Sequence, residues 1–183
     1  MSHRDAHHPP LSQPSNGNAG LSPRAVDEKL LADPTGADVL ADFNLVVSST
    51  TIAMDGQTLN DDDLLPTAQG AIDSFLVFPI RPRPDSHFDF VTVGRNPNND
   101  IVLNDGTISY FHAYFPHASK PTVVDAGSSN GTYINDLPAE VKGSGRTTPF
   151  AAGDAIRLGN IRGTLFDRRQ TLAFVRRAVA RRS

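Results

Sequence analysis

The 183-residue chain contains no cysteine. That removes a disulfide framework, a thiolate nucleophile and every cysteine-ligated zinc site, and with them several enzyme and structural-metal classes. No stretch approaches the roughly eighteen apolar residues that cross a bilayer, and the opening residues, Met1 to Pro10, lack the apolar segment of a signal peptide. A cytoplasmic protein that does not engage membrane is therefore expected. Strong net charge is missing too: the formal balance is -3, which is no global nucleic-acid signature. The one marked asymmetry is local, because the six arginines from Arg168 onward have no acid among them.

Glycine and proline are plentiful, 14 of each, which favours turns over long helices in a chain sized for one domain plus an extension. Residues 1–21 are rich in His, Pro, Ser, Asn and Gly; ordering them would cost backbone entropy with little burial in return, so they read as a disordered tail. His3, His7 and His8 on such a tail do not make a metal site. Residues 22–71 read as an N-terminal extension. Ser22 as cap and Pro23 at the first helical position open a short helix that Pro34 and Gly36 should end. Leu45-Val46-Val47 and Thr50-Thr51-Ile52 are β-prone, enough for one strand or a segment lying loosely on the main domain.

From Ile72 the pattern changes, as short β-prone runs recur at close spacing between turn signals. Strands are predicted at 75–80, 90–93, 101–102, 112–115, 122–124, 132–134, 155–158 and 164–166, giving an all-β sandwich over residues 72–167. Residues 168–183 then switch to a helical period, with Leu172, Val175 and Val179 on one face. Asp167 and Gln170 resemble a capping box, and the arginines suit the C-terminal end of the dipole. A solvated basic face is the reading of those arginines, with nucleic-acid contact as the less favoured one.

The chemistry concentrates between Val93 and Thr132. Gly94 allows a sharp strand exit, and Arg95 after it presents a planar donor fork, permanently charged, that matches phosphate oxygens. Ser109 can add a hydroxyl donor, and Asn130, with two donors and an acceptor, can bracket a peptide backbone. Ser109, His112 and Asp125 invite a hydrolase reading, but Ser109 sits in no Gly-x-Ser-x-Gly elbow and no glycine-rich stretch supplies an oxyanion hole. No catalytic residue, cofactor or metal is expected.

Val93-Gly94-Arg95, Asp100 to Leu103, Ser109 with His112, Asp125, Gly127-Ser128-Ser129-Asn130-Gly131-Thr132, Tyr133-Ile134-Asn135 and Gly153 to Gly159 together resemble the forkhead-associated domain. The resemblance implies a sandwich of about eleven strands whose loops at one end read phosphothreonine peptides. It implies that Arg95, Ser109 and Ser129 face phosphate, that Asn130 holds the peptide backbone, and that Gly94, His112, Gly131 and Thr132 support the loops. Selectivity would depend on Thr107, Ile108, Tyr110 and the loop 126–128. Tyr110 stands where the family often has a basic residue, and Ser129 where a basic residue or threonine is common. The implied partner is a phosphothreonine-containing protein, such as a Ser/Thr kinase or its substrate, with capture of the chain's own Thr50, Thr51 or Thr58, once phosphorylated, as a further expectation. A phosphate-independent scaffold with the same fold is the alternative.

Overall fold

The computed structural model describes residues 20–32, 39–48 and 75–180. In chain order the elements are α1 (Pro23–Ala32), β1 (Phe43–Ser48), β2 (Phe75–Pro79), β3 (Val91–Gly94), β4 (Ile101–Val102), β5 (Ala113–Phe115) and β6 (Thr122–Asp125). Then follow β7 (Thr132–Ile134), β8 (Leu137–Pro138), β9 (Thr148–Pro149), β10 (Ala155–Leu158), β11 (Ile161–Asp167) and α2 (Arg168–Ala180). Residues 1–19 of the expected tail, the β-prone run at residues 50–52 and the threonines at 50, 51 and 58 lie outside the described residues, whereas Leu21, placed at the end of the tail, exchanges backbone hydrogen bonds with Val77 at 2.9 and 2.7 Å.

The strands form two sheets, β2-β1-β11-β10-β7-β8 and β4-β3-β5-β6-β9. Their facing side chains make the main core, in which Leu45, Phe78, Val91, Val93, Phe115, Ile156, Leu158 and Leu165 are all nearly or fully buried. Alternation explains the arrangement: in β10 and β11 every second residue is buried, so one face of each strand enters the core and the other looks outward. Each large apolar side chain so buried contributes about 1.5–3 kcal/mol.

Among the described residues β1 is the element whose weight the sequence understated. It pairs antiparallel with β2 on one side and β11 on the other, with Leu45 opposite both Phe78 and Leu165. Asn44, fully buried on this strand, exchanges hydrogen bonds with the backbone of Ala41 and donates to Thr171 Oγ1 at 3.2 Å. The sheet thus takes an internal strand from ahead of residue 72. The two-residue strands β8 and β9 were not foreseen. Both contain proline and neither is apolar-patterned, so pairing alone defines them; β8 is set by the two-residue turn Asn135-Asp136, both with positive φ.

The helices cover one outer face. Ser22 caps α1 by accepting the Ala25 N–H, and Asp167 and Gln170 exchange the reciprocal bonds of a capping box at the start of α2. The buried face of α2 is Thr171, Phe174, Val175 and Ala178, with Leu172 and Val179 at its margins. Phe174 meets Phe75 edge-on at 5.4 Å and Phe166 at 5.9 Å, and with Val26, Val46 and Val77 they form a second apolar cluster behind the six-stranded sheet.

Candidate functional site

The loops after β3, β4 and β6 meet at one end of the sandwich. At the exit of β3, Gly94 is buried so closely against Tyr110 that a Cβ would collide with the Tyr110 carbonyl. That close approach lets Arg95 N–H donate to Ser109 O at 2.9 Å and Asn96 N–H to Tyr110 O at 3.2 Å, locking the first two loops side by side. Asn99, buried, reinforces the lock by donating from Nδ2 to the carbonyls of Asn96 and Tyr110.

Arg95 is held at its neck. Nε donates to Ile108 O at 3.2 Å, and the guanidinium carbon lies 4.6 Å from the centre of the Tyr110 ring. Among the described residues its terminal nitrogens donate no hydrogen bond and no carboxylate pairs with it. Beside it, Ser109 Oγ accepts the Ser129 N–H at 3.1 Å, drawing the third loop to the second. Asn130, exposed, donates from Nδ2 to Thr107 O at 2.7 Å, so its amide braces two loops, and among the described residues its Oδ1 accepts no hydrogen bond.

His112 is fully buried. Its Nδ1 accepts the Ser109 N–H at 3.1 Å, which leaves the proton on Nε2, facing Gly131 O at 3.1 Å. Burial lowers its pKa from the ordinary 6.5, against the opposing pull of the Gly131 carbonyl and the Asp125 charge, and the neutral ring is the form this geometry needs. Gly131, at φ 77°, adopts a backbone conformation that side chains resist, and it turns its carbonyl to receive both His112 and the Gly159 N–H.

Asp125 is the hub of the third loop. Oδ1 accepts the N–H groups of Gly127 and Ser128, and Oδ2 accepts the hydroxyls of Ser128 and Thr132, each at 2.7–2.8 Å. Burial alone would raise its pKa, but the bonds from Ser128, Thr132 and Gly127 outweigh it and hold the carboxyl below its ordinary 3.8. The sequence marked Asp125 as a motif position without indicating this hub; an acid ahead of Gly-Ser-Ser is the available signal, as carboxylates cap the turns that follow them.

Arg95, Ser109, Ser129 and Asn130 therefore come together, with Gly94, His112, Gly131 and Thr132 behind them. Of the three specificity candidates, Tyr110 is 64% exposed, whereas the Ile108 side chain is buried in the core and its carbonyl accepts Arg95 Nε. Thr107 accepts the Asn160 N–H on Oγ1 and Asn130 on its carbonyl. The suggested triad is not assembled: His112 bonds the Ser109 backbone rather than its hydroxyl, and Asp125 is spent on its own loop.

A two-sheet sandwich with a cation and hydroxyls gathered on its end loops defines a class of loop-built binding domain. Residues 91–159 match the family model of the FHA domain, and the chain carries a forkhead-associated domain. It is 39% identical over 72 residues to the glycogen accumulation regulator GarA of Mycolicibacterium smegmatis, covering 39% of this chain and 42% of that protein. It is 35% identical over 94 residues to the oxoglutarate dehydrogenase inhibitor of Corynebacterium jeikeium, covering 49% and 61%. The chain thus spans roughly half the length of these curated relatives, both named for regulation or inhibition. Among solved structures it is similar to Mycobacterium tuberculosis EmbR in complex with a low affinity phosphopeptide, at 18% identity and a TM-score of 0.43, over 76% of this chain and 28% of that one. No helix among the described residues is long and apolar enough to cross a membrane.

Proposed function

We propose that this chain binds phosphothreonine peptides and thereby mediates phosphorylation-dependent protein–protein interaction. The observation that carries the reading is Arg95: a guanidinium steadied by Ile108 O and the Tyr110 ring, with its terminal nitrogens unspent and no carboxylate partner among the described residues. A partly buried fork left without an anion in the folded protein is arranged to receive one from outside, and a phosphate fits it in two-point geometry. Ser109, joined to Arg95 through their backbones, supplies a hydroxyl to the same anion. Ser129 contributes its side of the loop, and Asn130 Oδ1 is available to a ligand N–H. His112 and Thr132 act behind these residues by fixing loop shape.

The same geometry supports a binding module over an enzyme, because among the described residues no general base bonds the Ser109 hydroxyl, His112 being engaged by the Ser109 N–H instead. Hydrogen bonds to a charged group contribute about 1.5–3 kcal/mol each, so two of them separate phosphorylated from bare peptide by several tens-fold or more. Titrating the chain with phosphothreonine peptides and their unphosphorylated counterparts, with and without Arg95→Ala, tests it. Equal affinity for both peptides would replace this reading with the phosphate-independent scaffold.

A further inference from the structure

Aromatic residues are scarce here, ten Phe and three Tyr, yet five of them stand together outside the core beside the candidate site. Phe88 stacks on Phe90 at 4.8 Å, Phe90 meets Tyr114 at 5.2 Å, and Tyr114 stacks on Phe111 at 5.9 Å. Phe88, Phe90, Phe111 and Tyr110 border a cleft of about 350 Å³ also lined by Asn96 and Lys142, with Tyr114 packed against two of these rings. Phe88 is 54% exposed and Tyr110 64%, an unusual outlay of apolar surface on neighbouring residues. The Lys142 Nζ lies 5.9 Å from the centre of the Phe111 ring; among the described residues it takes part in no ion pair and no carboxylate lines the cleft.

The cleft adjoins the phosphate-facing residues directly. Asn96 and Tyr110 each follow a proposed phosphate contact by one residue, and Tyr110 carries the Arg95 guanidinium over its ring. Thr107, Ser129 and Asn130 do not line it. An extended peptide advances about 3.3–3.6 Å per residue, so a ligand anchored at Arg95 passes the cleft mouth within a few residues of its phosphothreonine.

We infer that this cleft is a second recognition subsite, resting on the phosphothreonine reading above, which takes a large apolar side chain of the phosphorylated partner with an acidic residue next to it. The aromatic walls receive the apolar side chain, and Lys142, the only charge lining the cleft among the described residues, receives the carboxylate. The volume is at the small end of the range for ligand pockets and suits a side chain rather than a helix or strand.

The test is an array of phosphothreonine peptides in which leucine or phenylalanine, with a neighbouring glutamate, is walked through every position on both sides of the phosphothreonine. It is read with the full chain, with Phe88→Ala and with Lys142→Glu, alongside unphosphorylated copies. The expected result is about a tenfold preference for the apolar residue in one register. Phe88→Ala flattens that preference, and Lys142→Glu exchanges the preference for glutamate into one for lysine. Because both positions are on the surface, either variant serves should the other fold poorly. A flat profile with phosphate dependence intact overturns the cleft assignment alone; a profile indifferent to phosphate overturns the reading on which it rests.

Discussion

The two sheets bury their inner faces alike and differ on their outer ones. Behind β2, β1 and β11 the outward residues Phe75, Val77, Val46 and Phe166 are covered by α1 and α2 and belong to a second apolar cluster. On β3 and β5 the outward positions Thr92 and Tyr114 are paired across the strands, and among the described residues no helix lies over them; Phe90 and Phe111 flank them half-buried. One outer face is finished by the chain itself. The other, among the described residues, leaves aromatic surface beside the loops that hold Arg95, so the molecule has a covered back and an open front.

The largest effect is expected at the back. Phe174→Ala empties the contact with Phe75 and Phe166 and should cost about 3–5 kcal/mol, read as a lowered denaturant midpoint. A loss below about 1 kcal/mol would mean that the helices merely lie on the sheet, and the comparison would fail. Next comes the seam, for Thr132 on the six-stranded sheet donates to Asp125 on the five-stranded one at 2.7 Å. Thr132→Val keeps the shape and removes the hydroxyl, with an expected loss of about 1–3 kcal/mol and a weakened hold on the third loop.

A smaller, pH-dependent effect comes from the second seam, His112 to Gly131. Its pKa is lowered in the folded chain, so the unfolded chain takes up a proton first as pH falls. The stabilisation is fully present above the ordinary 6.5 and is lost as pH falls from there towards the folded value. Thermal melts from about pH 7.5 to about pH 5 should slope downward in the wild-type chain and flatten in His112→Gln, with a ceiling of about 1.4 kcal/mol per pH unit. Asp125, held below 3.8, contributes in the same direction but in a lower window. The smallest effect is at the front: Phe88→Ala should change stability by no more than about 0.5 kcal/mol, the sharpest contrast with Phe174→Ala.

What the sequence made legible follows from how local each signal is. Strands such as β7 and β10 and the capping box of α2 announce themselves through residues a few positions apart, and the Arg95, Ser109 and Asn130 pattern does so through its motif. The strands β8 and β9 do not, since proline-containing residue pairs become strands only when a partner is beside them. The weight of β1 was understated for a related reason: Leu45 is internal only because β2 and β11, distant in sequence, flank it. The Asp125 hub and the Asn130 bond to Thr107 depend on loop conformation. The aromatic cleft was invisible because Phe88 and Phe90 precede β3 while Tyr110 and Phe111 precede β5, and only the pairing of those strands brings them together.

Calorimetric titration of one phosphothreonine peptide, its dephosphorylated twin and a phosphoserine version into the wild-type chain and Arg95→Ala measures how far binding depends on the phosphate and on the guanidinium proposed to hold it. The wild-type chain should prefer the phosphothreonine form over the bare one by several tens-fold or more, phosphoserine should bind more weakly, and Arg95→Ala should remove most of the advantage of the phosphate. Phosphorylated and bare peptides binding alike in the wild-type chain, or Arg95→Ala retaining the full preference, would contradict phosphate-dependent binding through Arg95.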